Sequence, residues 1–401
     1  MTNLLGIALF ALGIGLTIAL HEAGHMLTAR AFGMRVRRYY IGFGPKVASF
    51  RRGHTEYGLA ALPLGGFCDI AGMTGEDPLT PEEEPLAMYK RPWWQRVIVL
   101  SGGVIVNLLL GLIILYFIAV SSGIPDPTAD TRPRVGELSC SADQRTDGEL
   151  EKCSGPGAGE RAGIAADDVI VALDGEEVKS FAEVRDYVLV RPGEEVIFTV
   201  ERGGEVKDVA VTPDVVKRLN AQGELVEAGA VGLANKPLNI VRTYGPLEAA
   251  PAVVHLSVQL LDATIDGIAQ FPAKIPGVVA SIFGAERDEE SPMSVVGASR
   301  VGGELVERSL WPSFFMLLVS LNYFLALFNL IPLPPFDGGH IAVVFYEKIR
   351  DALRRMRGLR PGGPADYSGL MPVTYAVAAL LLTVGAITIV ADVVNPIRLF
   401  G

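Results

Sequence analysis

The sequence predicts an α-helical integral membrane protein with four transmembrane helices, a β-hairpin segment after the first helix and one external α+β domain. Half of the 401 residues are apolar and the mean hydropathy is +0.35, which is too apolar for an ordinary soluble domain. The apolar residues also gather in four blocks, each long enough to cross about 30 Å of hydrocarbon. The formal net charge of −10 gives no sign of a nucleic-acid partner.

The predicted segments follow one another along the chain, and the four apolar blocks lie at 4–29, 97–120, 313–336 and 372–391. The segments are transmembrane helix 1 (1–31), a cytoplasmic or membrane-associated β-hairpin loop (32–96), transmembrane helix 2 (97–122), the external domain (132–214), an external linker with an amphipathic helix (215–311), transmembrane helix 3 (312–345), a basic cytoplasmic segment (346–370) and transmembrane helix 4 (371–393).

The orientation of the helices is predicted from the basic residues beside them. Lysine and arginine accumulate in cytoplasmic loops, and here they follow helix 1, precede helix 2 and follow helix 3. These residues are Arg30, Arg35, Arg37, Arg38, Lys90, Arg91, Arg96, Lys348, Arg350, Arg354, Arg355 and Arg357. The amino terminus, the part between helices 2 and 3, and the carboxyl terminus are therefore expected outside.

The motif HEAGH places two histidines and a glutamate inside the first apolar block. His21 and His25 are four residues apart, so both rings project from one helix face towards one metal ion, with Glu22 beside them as a base. Each strongly polar residue inside a membrane span costs on the order of 2 to 3 kcal/mol. Three of them in one turn require a compensating function, and a metal supplies it. His21 lies about 13 Å inside Arg30, in the cytoplasmic half of the bilayer.

A third metal ligand is expected because two histidines leave zinc under-coordinated. Asp337 follows a proline cluster at the end of the third block and precedes two glycines. The alternative is that Asp337 only caps the amino end of the basic helix that follows. His340 is a rival ligand three residues further on.

These residues resemble the site-2 proteases, the intramembrane zinc metalloproteases of peptidase family M50. HEAGH in the first span, joined to Asn-x-x-Pro and Asp-Gly near the end of the third, is the signature of that family. The resemblance covers essentially the whole chain and is nearest to the actinobacterial members. It implies Zn²⁺ bound by His21, His25 and Asp337, Glu22 as the catalytic base, and Asn329 as a residue that helps to hold the substrate.

The same resemblance implies a multi-pass protein of the bacterial plasma membrane, surrounded by the lipid bilayer. Its expected partners are transmembrane proteins, such as single-span anti-sigma factors that a first protease has already cut. In the second span Gly103 and Asn107 match a family motif that suggests a substrate-facing asparagine. Val104 stands where the family usually has proline, so packing of small residues explains the glycines equally well.

A competing function class is a non-catalytic membrane protein that binds or transports a metal and carries a scaffold module. Transport favours a path of several acidic or histidine residues through the spans, and this sequence has almost none beyond the site. A non-catalytic relative is expected to lack Glu22, which this chain keeps. The sequence therefore favours the protease.

Two segments outside the spans are predicted to handle the substrate. Residues 37–67 alternate short apolar stretches with glycine turns, which is typical of β-hairpins. An exposed edge strand there would capture an extended substrate, although a plain structured loop is the alternative. Residues 161–184 resemble a PDZ domain, and one PDZ domain is expected at 132–214. Whether it binds a ligand or acts as a steric gate remains open.

The sequence also predicts the character of a polar-striped segment, an acidic stretch and two cysteines. Polar residues from His255 to Lys274 recur at threes and fours, which predicts an amphipathic helix on the outer membrane surface or against the PDZ domain. The acidic, proline-rich stretch at 75–85 is expected to be a flexible linker. Cys140 and Cys153 both fall outside and are predicted to form a disulfide. Two free thiols, or ligands of a cofactor, are the alternatives.

Overall fold

The fold is taken from a computed structural model that describes residues 2–126, 130, 132–146, 149–220, 224–236, 240–288 and 291–397. The chain forms two compact units. The helical unit comprises Met1–Ile124 and Thr243–Gly401, and the inserted unit comprises Pro125–Arg242.

The helices in the described ranges account for most of the helical unit. They are α1 (Thr2–Ala31), α2 (Trp93–Leu100), α3 (Gly102–Ser121), α4 (Ala158–Arg161), α5 (Phe181–Leu189), α6 (Pro246–Ile282), α7 (Val295–Glu307), α8 (Trp311–Asn329), α9 (Asp337–Met356) and α10 (Met371–Val394). Short 3-10 helices occupy Glu84–Leu86, Met88–Lys90 and Ser368–Leu370.

The strands belong mainly to the inserted unit, apart from the long hairpin that follows α1. They are β1 (Val36–Arg52), β2 (Thr55–Ile70), β3 (Ile124–Pro125), β4 (Val135–Leu138), β5 (Val169–Leu173), β6 (Glu176–Glu177), β7 (Val196–Arg202), β8 (Glu205–Val211), β9 (Asp214–Leu219), β10 (Leu225–Ala230), β11 (Leu233–Asn235) and β12 (Val241–Arg242).

Five helical segments of the described chain are long and apolar enough to cross a membrane, by length and composition alone. They are Asn3–Ala31, Gly102–Ser121, Pro246–Ile282, Trp311–Asn329 and Ser368–Val394. Four of them correspond to the predicted apolar blocks. The second block is interrupted, because α2 ends before Ser101 and α3 begins after it.

The fifth segment, α6, differs from the predicted surface helix. It is 37 residues long and contains Pro251, Pro272 and Pro276. Its Ser257 accepts a hydrogen bond of 2.7 Å from the Tyr323 hydroxyl of α8. Tyr323 also packs on Gly111 of α3, and the side chains around this contact form one apolar cluster. The first part of α6 therefore lies along α3 and α8, and its polar residues do not define a helix bound only to the outer surface.

The hairpin after α1 is folded back on itself. The paired residues put segment 46–52 against 55–60, segment 55–60 against 36–41, and segment 36–41 against 66–70. The bends occur at glycines with positive φ, among them Gly42 (φ 90) and Gly65 (φ 135), which other residues rarely adopt. Two strands thus make a sheet of four segments, with 66–70 at one edge.

The acidic stretch at 75–85 is fixed by Arg37 of the hairpin, so the prediction of a flexible linker is wrong. The guanidinium of Arg37 lies 3.0 Å from Asp77 Oδ1 and 2.9 Å from Glu83 Oε1, and it donates to the carbonyl of Pro78 at 2.9 Å. The hydrogen bond from Arg37 holds the pKa of Glu83 below its usual value. Composition alone predicted disorder because it does not show a cation from another segment.

The inserted unit is built on an antiparallel four-stranded sheet in the order β6-β5-β7-β8. The turn between β7 and β8 uses Gly203 and Gly204, both at positive φ, as a tight hairpin requires. Ser180 caps the start of α5, since its Oγ accepts from the Glu183 N–H at 3.2 Å. The Glu183 carboxylate accepts in turn from the Lys179 N–H at 2.9 Å. A core of aliphatic side chains around Phe198 lies between the sheet and α5.

The inserted unit also contains a disulfide between Cys140 and Cys153, whose Cα atoms are 5.9 Å apart. Residues of the loop between them bond to β9: the Lys217 N–H donates to Asp143 Oδ1 at 2.9 Å, and the Gln144 N–H donates to the Lys217 carbonyl at 2.9 Å. The loop is therefore bonded to β9, which pairs with β10, and is also closed by its own disulfide.

The third predicted apolar block, 313–336, is not helical to its end. Helix α8 ends at Asn329 and α9 begins at Asp337. Three prolines lie between them, at 332, 334 and 335. Each lacks the N–H of a helical hydrogen bond, and three within four residues end the helix here. This irregular segment places the first turn of α9 beside α1.

Candidate active site

The HEAGH motif lies in the last third of α1, where its two histidines are buried. His25 Nδ1 lies 2.8 Å from the carbonyl oxygen of Val99. Since a carbonyl can only accept, Nδ1 carries the proton and Nε2 keeps a free lone pair when the ring is neutral. This bond from α2 sets the ring orientation, as outer partners of metal-binding histidines commonly do.

Asp337 comes from the start of α9, on a different part of the chain. It is the first residue of the helix, whereas the N-cap position is occupied by Phe336 and has no side-chain cap. The alternative that Asp337 is the N-cap of α9 is therefore wrong. Its carboxylate is directed at the histidines of α1 instead.

The two histidines and the aspartate converge on one point. His21 Nε2 and His25 Nε2 are 3.2 Å apart, and each lies 3.4 Å from Asp337 Oδ2. Among the histidine, cysteine, aspartate and glutamate side chains of the described residues, these three are close enough together to hold a metal ion. Ligands about 2.0–2.1 Å from a tetrahedral zinc are about 3.3–3.4 Å from one another. The three separations fit such an ion.

Buried atoms without partners support the same interpretation. Asp337 Oδ2 and His21 Nδ1 are buried and have no hydrogen-bond partner among the described residues. An unpaired buried carboxylate oxygen facing two nitrogen lone pairs is unfavourable unless a cation lies between them. The donor set of two imidazoles and one carboxylate is the kind that catalytic zinc takes.

Glycines allow the backbone of α3 to approach this site. A Cβ on Gly103 would lie 2.5 Å from His21 Nε2, and a Cβ on Gly24 would lie 2.3 Å from the carbonyl oxygen of Gly102. Contacts this short are not tolerated, so α1 and α3 can approach this closely only because Gly24 and Gly103 have no side chain. The sequence showed the glycines of the second span but not that they face His21.

Glu22 lies beside the metal-binding group and against the hairpin. A Cβ on Gly66 would meet Glu22 Cγ at 3.0 Å, so the Glu22 side chain lies against this segment of the hairpin. Gly66 and Cys68 belong to the edge segment 66–70. Burial, and then the nearby Glu22 carboxylate, raise the pKa of the Cys68 thiol, and Cys68 lies outside the converging group of His21, His25 and Asp337.

A cavity of about 550 Å³ joins the predicted site residues. His21, Glu22, His25 and Asp337 line it, together with Asn107, Asn329, His340 and Val295. Asn107 of α3 is fully buried, and neither its Oδ1 nor its Nδ2 has a hydrogen-bond partner among the described residues. Asn107 therefore offers unpaired polar atoms to whatever occupies the cavity, and Asn329 lines the same cavity.

His340 lines the cavity but lies outside the converging group. Its Nδ1 is 3.3 Å from the Tyr367 hydroxyl.

The sequence did not reveal a buried ion pair between Arg96 of α2 and Glu347 of α9, whose nitrogen and oxygen are 2.5 Å apart. The sequence alone places Arg96 among the basic residues that flank the second span. Only the fold reveals a partner 251 positions away.

Comparisons with known proteins agree with this geometry. The family model of peptidase family M50 matches residues 9–359. The zinc metalloprotease Rip1 of Mycolicibacterium smegmatis is 45% identical over 99% of this chain and 99% of its own. Rip1 of Mycobacterium tuberculosis is 45% identical over 98% of both. The probable membrane metalloprotease ARASP2 of Arabidopsis thaliana is 31% identical over 94% of this chain and 77% of its own. The chain therefore belongs to peptidase family M50, the site-2 protease family.

Proposed function

We propose that the chain is an intramembrane zinc endopeptidase that hydrolyses peptide bonds within or near the transmembrane helices of single-span membrane proteins. As a member of its family it is a membrane metalloprotease with Zn²⁺ as cofactor. The observation that carries the assignment of residues is the convergence of His21, His25 and Asp337 beside Glu22 in one cavity. His21, His25 and Asp337 would hold the zinc.

Glu22 performs the proton transfers in this proposal. His21, His25 and Asp337 would hold a zinc ion, which would supply an acidified water molecule and a polarised scissile carbonyl. The Glu22 carboxylate accepts the proton of the attacking water and then passes it to the leaving amine. Gly66 of the hairpin lies against the Glu22 side chain, and the Val99 carbonyl fixes the orientation of the His25 ring.

The substrate must be unwound, since a helix hides its amides in its own hydrogen bonds. Segment 66–70 is a sheet edge beside Glu22, and an extended chain paired with it would enter the cavity with its backbone exposed. Asn107 and Asn329 line the same cavity. The unpaired amide of Asn107 would bond to the substrate backbone there. Single-span anti-sigma factors that have lost their outer domain in a first cut are the expected substrates.

We further propose four complete spans, α1, α3, α8 and α10, in the bacterial plasma membrane. Helix α6 begins beside the end of α3, where the Tyr116 hydroxyl donates to the Pro246 carbonyl at 3.2 Å. Helix α8 begins beside the amino-terminal part of α1, where Phe314 packs on Phe10. Both helices thus start at the same face of the bundle, and α7, about 20 Å long, is too short to recross. The basic flanks favour a metal site in the cytoplasmic half and an external inserted unit.

The central experiment separates base from ligands in a reconstituted cleavage assay with zinc measured by elemental analysis. Glu22→Gln should lower cleavage at least about 100-fold with zinc retained, because glutamine cannot accept the proton. His21→Ala and Asp337→Ala should lose both zinc and activity. His340→Ala is the matched control and should keep its zinc. A Glu22→Gln enzyme near the wild-type rate would reject the mechanism.

The substrate class is tested in cells. Expression of Glu22→Gln should cause single-span fragments, trimmed on their outer side, to accumulate in the membrane. Their identification by mass spectrometry would name the substrate. Accumulation of full-length soluble proteins instead would contradict the proposal.

For the inserted unit we propose a PDZ domain over residues 132–214, supported by its antiparallel sheet and α5. A groove of about 500 Å³ between α5 and residues 229–235 offers space for a peptide. Deletion of 132–214 separates the two roles. If the domain is a size gate, the deletion should permit cleavage of untrimmed substrates. If it binds a ligand, the deletion should abolish cleavage even of trimmed ones.

A further inference from the structure

A basic pocket of about 690 Å³ lies at the end of α1, between the chain after that helix and the turn that joins β1 to β2. Its charged lining residues are Arg30, Arg35 and Arg52, with His54 beside them, and none of the described residues that line it is acidic. Thr55 and Tyr57 supply hydroxyl groups. The pocket thus has donors and positive charge but no built-in counter-charge.

Two arginines near the pocket, Arg37 and Arg38, do have carboxylate partners. Arg37 is paired with Asp77 and Glu83, and Arg38 with Asp69 at 2.8 Å. In contrast, Arg30, Arg35 and Arg52 have no carboxylate within 4.0 Å in the part of the chain that the structure covers. Nearby carboxylates thus neutralise Arg37 and Arg38, whereas no carboxylate of the described residues lines the pocket.

Arg30 is also held in position. Its Nη2 donates to Thr55 Oγ1 at 2.9 Å and to the Tyr57 hydroxyl at 2.6 Å, and Thr55 is itself buried and bonded to the Val36 carbonyl at 2.7 Å. A lysine or arginine at a helix end usually extends freely towards water. This one is fixed as a wall of the pocket, which reduces the entropy lost on binding.

The surroundings of the pocket have the character of a membrane–water interface. Phe32 follows α1 directly and packs edge-to-face on Trp94 at 5.5 Å, and Trp94 is 45% exposed. Exposed tryptophan is typical of the lipid headgroup level. On the hairpin, Val47 and Phe50 are each 64% exposed, which offers apolar contact beside the basic turn.

We propose that this pocket binds the phosphate group of an anionic membrane phospholipid. Guanidinium groups match phosphate oxygens in pairs of parallel hydrogen bonds. The exposed aromatic and aliphatic side chains favour a lipid over a soluble phosphate because they would contact its acyl chains. The site requires only that α1 lies in the membrane, and it is independent of the proteolytic chemistry.

The hairpin supplies a matched pair of variants for the test. Arg51 and Arg52 are adjacent and both exposed, but Arg52 is paired across the sheet with Thr55 and Arg51 with Glu56. Neighbouring residues of a strand point to opposite faces. Arg52 thus lines the pocket and Arg51 does not, although both carry the same charge.

The measurement is native mass spectrometry of the full-length protein in detergent, titrated with phosphatidylglycerol or phosphatidylcholine. Arg52→Ala should weaken phosphatidylglycerol binding about fivefold, and Arg35→Ala with Arg52→Ala about 25-fold. Arg51→Ala and Glu22→Gln should leave it unchanged. Arg52→Gln, which keeps the length of the side chain, serves if the alanine variant does not fold.

Three results would overturn the proposal. Equal weakening by Arg51→Ala would mean that only the general positive charge of this surface acts. Equal binding of phosphatidylcholine would exclude recognition of an anionic lipid. Displacement of the lipid by millimolar inorganic phosphate would identify a site for soluble anions. Lipid binding is measured without any cleavage reaction, and Glu22→Gln should change cleavage but not lipid binding. Failure of the lipid site and failure of the protease assignment are therefore distinguishable.

Discussion

In the described chain, the ion pairs with both partners buried lie in the helical unit, whereas each ion pair of the inserted unit has at least one exposed partner. In the helical unit, the side chains of Arg96 and Glu347 are only 8% and 9% exposed. In the inserted unit, the ion pair between Arg185 and Asp186 is 67% and 63% exposed. Charges in a dry environment are costly unless partners or a metal compensate them, whereas exposed pairs contribute little. We therefore expect single substitutions of polar or closely packed residues to have much larger effects in the helical unit.

The largest effect is expected where α1 and α3 cross beside the metal site. Gly24→Ala would place a methyl group 2.3 Å from the Gly102 carbonyl oxygen, and the helices must separate. Displacement of a catalytic group by about 1 Å can reduce a rate about 100-fold. We expect Gly24→Ala to lose at least that much proteolytic activity in the reconstituted assay, together with zinc.

Gly15→Ala in the same helix is the control for Gly24→Ala. No atom lies within 4 Å of a Cβ at Gly15, so its activity should be unchanged and its stability equal or higher by up to about 1 kcal/mol. If both variants behave alike, the loss at Gly24 does not come from the helix crossing.

The next effect concerns the buried ion pair that joins α2 to α9. Glu347→Gln would leave the Arg96 charge buried without a counter-ion, at a cost of about 3–5 kcal/mol in the free energy of unfolding. Thermal unfolding in detergent measures this loss. Because α9 also carries Asp337, zinc affinity should fall as well.

Two comparisons sharpen the Arg96–Glu347 prediction. Combining Arg96→Met with Glu347→Gln should recover most of the stability, because no unpaired charge remains. Glu84→Gln removes a carboxylate from an exposed pair with Lys90 and should change nothing measurable. A double variant as unstable as Glu347→Gln alone would show that the charge is not the cause.

The predictions that succeeded from the sequence rest on short-range patterns. The spacing of His21 and His25 fixes their shared helix face, and prolines mark the irregular segment before Asp337. The family predicted from these motifs is confirmed by the match to peptidase family M50. These patterns act within one or two turns, so the linear sequence contains them in full.

The features that the sequence did not reveal depend on contacts between distant segments. Arg37 orders the acidic stretch, and Tyr323 holds Ser257 of α6, 66 positions away. Hydropathy assigned each of these residues from its neighbours alone. A buried partner can order a charged segment or draw an amphipathic helix into the bundle, and only the fold identifies that partner.

A smaller effect is expected from the disulfide of the inserted unit. Replacing Cys140 and Cys153 by serine should lower the stability of that unit by roughly 3 kcal/mol, since the loop closes over a separation of 13 residues. We propose that the bond is formed in the mature protein. Mass spectrometry of thiol-blocked, unreduced protein should find the linked peptide.

Cys68 is the internal control for thiol blocking, because it is a free cysteine of the helical unit. After unfolding without reductant it should be alkylated, whereas Cys140 and Cys153 should not. Alkylation of all three cysteines would rule out the disulfide.

The smallest effect concerns Asp168, the buried carboxylate of the inserted unit. It accepts from Arg202 at 2.5 and 2.6 Å and from the Ala165 N–H at 2.9 Å. Burial opposes the charge, but the hydrogen bonds from Arg202 and Ala165 outweigh it, and the pKa of Asp168 lies below its usual value. A depressed folded-state pKa contributes stability above the unfolded pKa, near 4, and this is lost as the pH falls through the folded pKa.

Asp168→Asn should therefore lower the free energy of unfolding by about 1–3 kcal/mol at pH 7, and its difference from wild type should shrink below about pH 4. Asp167→Asn, at an exposed neighbour, should be nearly neutral throughout. A cost for Asp168→Asn that does not change with pH would mean that shape, and not charge, is what the inserted unit requires at this position.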